Sequence, residues 1–214
     1  MTWCFNDKNG FLECTTKSIG QISSDTNIGK YLQKCTSELK DGSSILEIGT
    51  WNGLGSTRVI SDTLPFNSTF YSLETNKEKV ESAKKNYVSF SNIKILHSTV
   101  LCHSLETIKR KVLDMFPGLN REWWKIDLEN MKSVPVFDLK DKYFEWVFLD
   151  GGEYTTYLEF EMLKNHTDMM ILDDVNTDKC KNIVSEVSYG LHKGWSVVEL
   201  DSHERNGWAV IKKL

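Results

Sequence analysis

The sequence predicts an α/β fold: one open, mostly parallel sheet with helices on both faces and an antiparallel hairpin at its C-terminal end. Two observations carry this. From residue 43 onward, short aliphatic and aromatic runs alternate with helical patterns of about ten to fifteen residues, and strands joined by such helices run parallel. The last two runs, "GWSVVELDS" and "GWAVIKKL", are joined only by "HERN", too short for a crossover, so they pair antiparallel.

The elements follow in order. Ile28, Leu32, Cys35 and Leu39 recur at helical spacing behind the capping candidates Ser23, Ser24 and Asp25. "SSILEIG" is the first strong strand, and a glycine turn and a helix over 56–64 follow, stopped by Pro65. "STFYSLE" is a strand ending at Glu74, "NKEKVESAKKNYVSF" a helix with Val80, Ala83 and Tyr87 on one side, and "NIKILH" a strand. Two helical patterns, 105–116 and 121–131, then compete for one crossover. The first leaves directly from a strand end and reads as a cover over that edge, which makes "REWWKIDLENM" the crossover. "EWVFLD" and "DMMILDD" are strands, with helices over 154–165 and 178–191 after them. Residues 1–42 form an N-terminal helical cover, 43–214 the main domain, and 101–120 a helical insertion.

At 214 residues and 40% hydrophobic content, the chain can bury a single core. A net charge of -4 offers no general field for nucleic acid or anionic lipid. Cys4, Cys14, Cys35, Cys102 and Cys180 are scattered without a C-x-x-C pair, so neither a disulfide framework nor a thiolate zinc site is indicated. No stretch has a signal-peptide pattern or the length of an apolar membrane span, and the chain reads as soluble and cytoplasmic. The sequons at Asn67 and Asn165 are then chance matches. The oligomeric state stays open.

"ILEIGTWNGLGST" places Gly49, Gly53 and Gly55 after the first strand, where open α/β sheets bind ligands. The spacing is G-x-x-x-G-x-G, with Glu47 two residues before the first glycine, and a carboxylate beside the turn disfavours a polyphosphate and suits a cationic ligand. From Ser43 onward the chain resembles the class I S-adenosylmethionine (SAM)-dependent methyltransferases, whose E/D-x-G-x-x-x-G turn is met by Glu47, Gly49 and Gly53. The resemblance implies a Rossmann-like seven-stranded sheet closed by the antiparallel hairpin, with SAM as cofactor. It implies that Gly49, Thr50 and Gly53 pack against the methionine part of SAM and that Glu74 accepts the ribose hydroxyls. His97, Ser98 and Thr99 stand where many members carry an acid for adenine, which leaves the adenine contacts open, with Ser98 a cofactor-binding candidate.

Asp150 ends one strand and Asp173-Asp174 ends its neighbour. Two bare charges ~4 Å apart repel by roughly 4 kcal/mol at a partly buried site, a cost that a cation relieves. All-oxygen ligands favour Mg²⁺, Ca²⁺ or Mn²⁺. The pattern is similar to metal-dependent O-methyltransferases, particularly those that modify sugars, which implies Asp150, Asp173 and Asp174 as ligands of Mg²⁺ or another divalent cation, with Asp150 also near SAM and the reacting groups. The plain alternative is that Asp174 caps a helix and no metal binds. Glu153 stands where related families place a His or Lys that deprotonates the acceptor, and crowding among like charges makes a carboxylate a better base. Alternatively Glu153 only serves the dipole of the helix it opens.

Trp123 and Trp124 point different ways on one helix, so at most one faces a ligand. Glu204 and Arg205 lie in the hairpin turn, which reads most simply as solvated. The resulting expectation is a SAM-dependent O-methyltransferase acting on a small hydroxylated acceptor, a sugar or glycan, with Glu153 as base, its pocket covered by residues 1–42 and 101–120. An N-methyltransferase on a small amine and a catalytically inactive SAM-fold partner subunit are the competing readings.

Overall fold

A computed structural model describes residues 2–5, 12–15 and 20–214. Strands β1 (Thr2–Phe5) and β2 (Leu12–Thr15) pair antiparallel as a separate two-stranded sheet. Cys4 and Cys14, in these strands, lie outside the residues whose side chains are described.

Helix α1 (Asn27–Ser37) is capped by Thr26, one residue after the last predicted cap, because the Thr26 side chain accepts the Gly29 N–H while its hydroxyl donates to the Ser23 carbonyl. The main sheet contains β3 (Ser44–Ile48), β4 (Thr69–Glu74), β5 (Ile93–His97), β6 (Val147–Leu149), β7 (Met169–Asp173), β8 (Trp195–Asp201) and β9 (Trp208–Lys213). Its order is β5-β4-β3-β6-β7-β9-β8, parallel throughout except where β9 enters antiparallel between β7 and β8. This is the predicted seven-stranded, mostly parallel sheet with its C-terminal hairpin.

The order reverses at β3 and β6, which are neighbours although far apart in sequence. The central strands are apolar runs because both faces are covered: Ile45, Leu46, Val147, Phe148 and Leu149 are all fully buried. One face packs under α1, α2 (Ser56–Ser61) and α3 (Lys77–Tyr87), the other under α6 (Thr156–Leu163) and α7 (Lys181–Ser188).

Helices α4 (Leu105–Met115) and α5 (Arg121–Met131) lie between β5 and β6 in the chain. Ile108 and Val112 of α4 pack into a small separate core with Trp124, Tyr154 and Leu158, while α5 forms the wall of the cavity at the sheet's carboxyl edge. The stripe of Trp124, Asp127 and Met131 at helical spacing explains this, since a carboxylate within an otherwise apolar stripe needs a polar opening.

Candidate active site at the carboxyl edge of the sheet

The first turn is built by backbone. Gly49 leaves β3 with φ +100°, and a Cβ there would lie 2.0 Å from the Asp150 carbonyl oxygen, so only glycine lets β3 and β6 meet at this point. The Gly49 N–H donates to the Leu73 carbonyl of β4. Trp51 follows at φ 50°, and its N–H donates to Glu74 at 2.8 Å, while the Asn76 N–H donates to the other Glu74 oxygen at 2.8 Å. Two main-chain donors thus fix Glu74 at the rim, with lone pairs left for a ligand.

Glu47 lies below this turn rather than in it, which corrects the expectation of a ligand-facing carboxylate. It is fully buried and accepts the hydroxyls of Ser56, Thr57 and Ser72. Burial pushes its pKa up to about 7, against the lowering effect of those three donors. Gly53 is also not part of the cavity wall. A Cβ at its φ of +75° would strike the Tyr87 ring at 2.9 Å, so it lets the turn pack on α3.

A cavity of about 470 Å³ opens above the sheet, within the range of small-molecule sites. Gly49, Thr50, Trp51, Glu74 and Ser98 line one end, and Asp150, Glu153 and Asp174 the other. Ser98 donates its hydroxyl to the Pro135 carbonyl at 2.8 Å, and Thr50 is hydrogen-bonded to Ser72. The two tryptophans diverge: Trp124 is buried edge-on to Tyr154, and Trp123 lines the cavity.

Asp150, Asp173 and Asp174 do come together, with one oxygen of each within 4.8 Å of the others. Asp173 lies beneath the cavity, 2% exposed, rather than on its wall. Burial, then the charges of Asp150 and Asp174, push its pKa up. Two cationic side chains face these acids. Lys179 Nζ lies 2.7 Å from Asp150 and 2.6 Å from Asp174, and Arg205 reaches both Asp173 oxygens at 3.1 and 3.4 Å. Burial alone would raise Asp174 and lower Lys179. The ion pair wins on both sides, leaving Asp174 below and Lys179 above the ordinary range.

The hairpin turn is therefore part of the site, contrary to its reading as solvated. Arg205 is held at φ 54°, and Asn206 donates to Asp174 at 3.0 Å. Glu204 accepts the Asn27 and Ile28 N–H groups at 2.6 and 2.9 Å, fastening the turn to the start of α1.

Two further carboxylates were missed. Asp127 of α5 and Glu159 of α6 line the cavity beside Gly151 and Gly152, and Asp127 Oδ2 and Glu159 Oε2 are buried without a hydrogen-bond partner among the described residues. Burial, reinforced by Glu153, pushes Asp127 up to about 6; burial, reinforced by Asp127, pushes Glu159 up to about 8.

No family model and no curated protein matches the chain. Solved structures do. An O-methyltransferase from Bacillus cereus in complex with S-adenosylhomocysteine (SAH) superimposes with TM-score 0.56 at 17% identity, over 91% of this chain and 84% of that one. The chain has the class I methyltransferase fold. The O-methyltransferase TomG from Streptomyces achromogenes, involved in tomaymycin synthesis and solved with SAM, gives TM-score 0.55 at 15% identity over 90% and 82%. The SAH-bound methyltransferase PaMTH1 from Podospora anserina gives 0.54 at 14% over 87% and 78%. In this methyltransferase fold the cavity sits at the carboxyl ends of β3, β4, β6 and β7, where the strand order reverses and open α/β sheets take their ligands. Among the described residues, no helix is long and apolar enough to cross a membrane.

Proposed function

We propose that the chain is a SAM-dependent O-methyltransferase that methylates a hydroxyl of a small acceptor, a sugar or glycan. The observation that carries this reading is the continuity of the cavity, which joins Glu74 and the Gly49 turn at one end to Asp127, Glu153 and Glu159 at the other. Bound there, SAM supplies an electrophilic methyl group on a sulfonium.

Glu74 would hold the ribose hydroxyls and Gly49 to Trp51 the methionine side, aiming the methyl toward the acids. The carboxyl groups of Asp127, Glu153 and Glu159 facing one space suit a ligand rich in hydroxyls, which donate to an ionised carboxylate and accept from a protonated one. Glu153 would take the acceptor proton as the oxygen attacks: the O–C bond forms, the C–S bond breaks, and SAH leaves. Asp127, raised to about 6, stands beside Glu153 and could relay or share that proton. Placement of the two substrates would supply much of the rate. Residues 20–22 and the α5 wall would choose the acceptor.

The test is calorimetry with SAH, followed by transfer of labelled methyl from SAM to a panel of sugars. Stoichiometric SAH binding and a labelled sugar are expected, and a chain that does not bind SAH would falsify the reading. The unpartnered oxygens of Asp127 and Glu159 favour one second reading, a cationic amine acceptor. Label found only on amines in a mixed panel selects it.

A further inference from the structure

The acid triad of Asp150, Asp173 and Asp174 has the donor chemistry of a divalent-ion site: three oxygens close enough to share one small cation. Its surroundings do not fit one. Lys179 Nζ sits between Asp150 and Asp174, at 2.7 and 2.6 Å, with its side chain only 10% exposed. Arg205 holds Asp173 with both terminal nitrogens. Three carboxylates thus meet two permanent cations, and an incoming ion would have to expel a partly buried ammonium from both of its charge-assisted bonds.

The placement of Lys179 is built in. Asp174 takes φ 55°, Thr177 donates its hydroxyl to the Asp174 carbonyl at 3.1 Å, and the Lys179 N–H donates back to Thr177 Oγ1 at 3.3 Å. Asn206 fixes the outer Asp174 oxygen from the hairpin. Lys179 also lies just before α7, where the helix dipole disfavours a positive charge. The carboxylates, not the helix, account for its position.

We infer that the Lys179 ammonium stands in the place of a divalent ion, so that this site carries its positive charge without metal. An ammonium has three N–H donors, and Asp150 and Asp174 take two. Lys179 lines the cavity, so the third is directed to the acceptor oxygen, where it stabilises the negative charge that grows as the proton leaves. This last step rests on the proposed methyl transfer; the exclusion of metal does not.

The experiment is titration of Mn²⁺ into the chelator-treated full chain, followed by electron paramagnetic resonance of the free ion, for wild type, Lys179→Met and Lys179→Gln. Wild type is expected to leave the free-ion signal unchanged. A folded Lys179 variant, checked by circular dichroism, is expected to remove one equivalent of Mn²⁺, and Asp150→Asn in that background to abolish the uptake. Stoichiometric uptake by wild type that Asp150→Asn removes overturns the inference, whatever the variants do. A folded Lys179→Met or Lys179→Gln that takes up no Mn²⁺ overturns it too, since the lysine would then occupy no ion position. SAH calorimetry on the same samples separates the two ideas. Absent SAH binding removes the methyl-transfer reading alone, and SAH binding with wild-type Mn²⁺ uptake removes this inference alone.

Discussion

The two ends of the cavity are built by different means. At the Gly49 end, β3 and β4 run side by side in register, Ile48 opposite Leu73, and main-chain N–H groups place both the turn and Glu74. At the Asp150 end, side chains converge from β6, β7, α5, α6, the loop before α7 and the hairpin turn. The first end is a backbone shape and is sensitive to added atoms. The second is a charge balance and is sensitive to removed ones.

Gly49→Ala should have the largest effect. The φ of +100° and a Cβ 2.0 Å from a backbone oxygen that cannot move away together cost at least about 3 kcal/mol in urea denaturation. Gly152→Ala is the matched control at the other end. Its Cβ meets Thr155 Oγ1 at 2.8 Å and Asp127 Oδ2 at 2.9 Å, both ends of side chains, and should cost about 1 kcal/mol. Equal costs would break the distinction between the two ends.

Arg205→Ala comes next. It strands Asp173, 2% exposed, without its guanidinium, at a cost of about 3 kcal/mol. Arg205→Lys keeps the charge but loses the two-pronged contact, and its urea midpoint should fall between those of Ala and wild type. A midpoint for Arg205→Ala equal to wild type would mean that the turn contributes no charge balance.

The same division explains what the sequence made legible. The strands, the terminal antiparallel hairpin, the glycine turn and the meeting of the three aspartates follow from local patterns and from the resemblance they carry. Glu47 was misplaced because one strand residue cannot reveal which hydroxyls will surround it; Ser56, Thr57 and Ser72 arrive from a helix and a neighbouring strand. Lys179 and Arg205 were missed as parts of the site because Asp150 and Asp173 lie 29 and 32 residues away in sequence, although Asp174 is close to Lys179 in the chain. Signals did exist: a lysine at a helix start, and Asp127 in the stripe of Trp124 and Met131. Glu159, between the apolar Leu158 and Phe160, gave none, since a charge there reads as the solvent side of the helix.

Glu159 sharpens the comparison through pH. Its folded pKa, about 8, lies above the 4.5 of the free side chain, so between these values the folded chain holds a proton that the unfolded chain has released. Its contribution to stability is therefore full below about pH 4.5 and is lost as pH rises through 8. Glu159→Gln removes that loss. Its urea midpoint should vary less between pH 5 and 9, and near pH 9 the variant should be more stable than wild type by about 1–3 kcal/mol. Parallel pH profiles for the two proteins would show that Glu159 is not held protonated.

Glu74→Gln is the smallest change and probes the backbone end by charge alone. The two Glu74 oxygens each accept a main-chain N–H at 2.8 Å, from Trp51 and from Asn76. A glutamine has one carbonyl oxygen, so its NH₂ must face one of those donors, and one contact is lost whichever way the amide turns. Stability should fall by about 1 kcal/mol. The remaining acceptor is neutral, and hydrogen bonds to a neutral group are weaker by about 1 kcal/mol than those to a carboxylate, so SAH affinity by calorimetry should drop by about fivefold. Because the lost contact is to either the turn or the start of α3, affinity and stability should change together here. At the Asp150 end, Arg205→Ala should lower stability while leaving SAH affinity close to wild type, since Arg205 acts on Asp173 beneath the cavity.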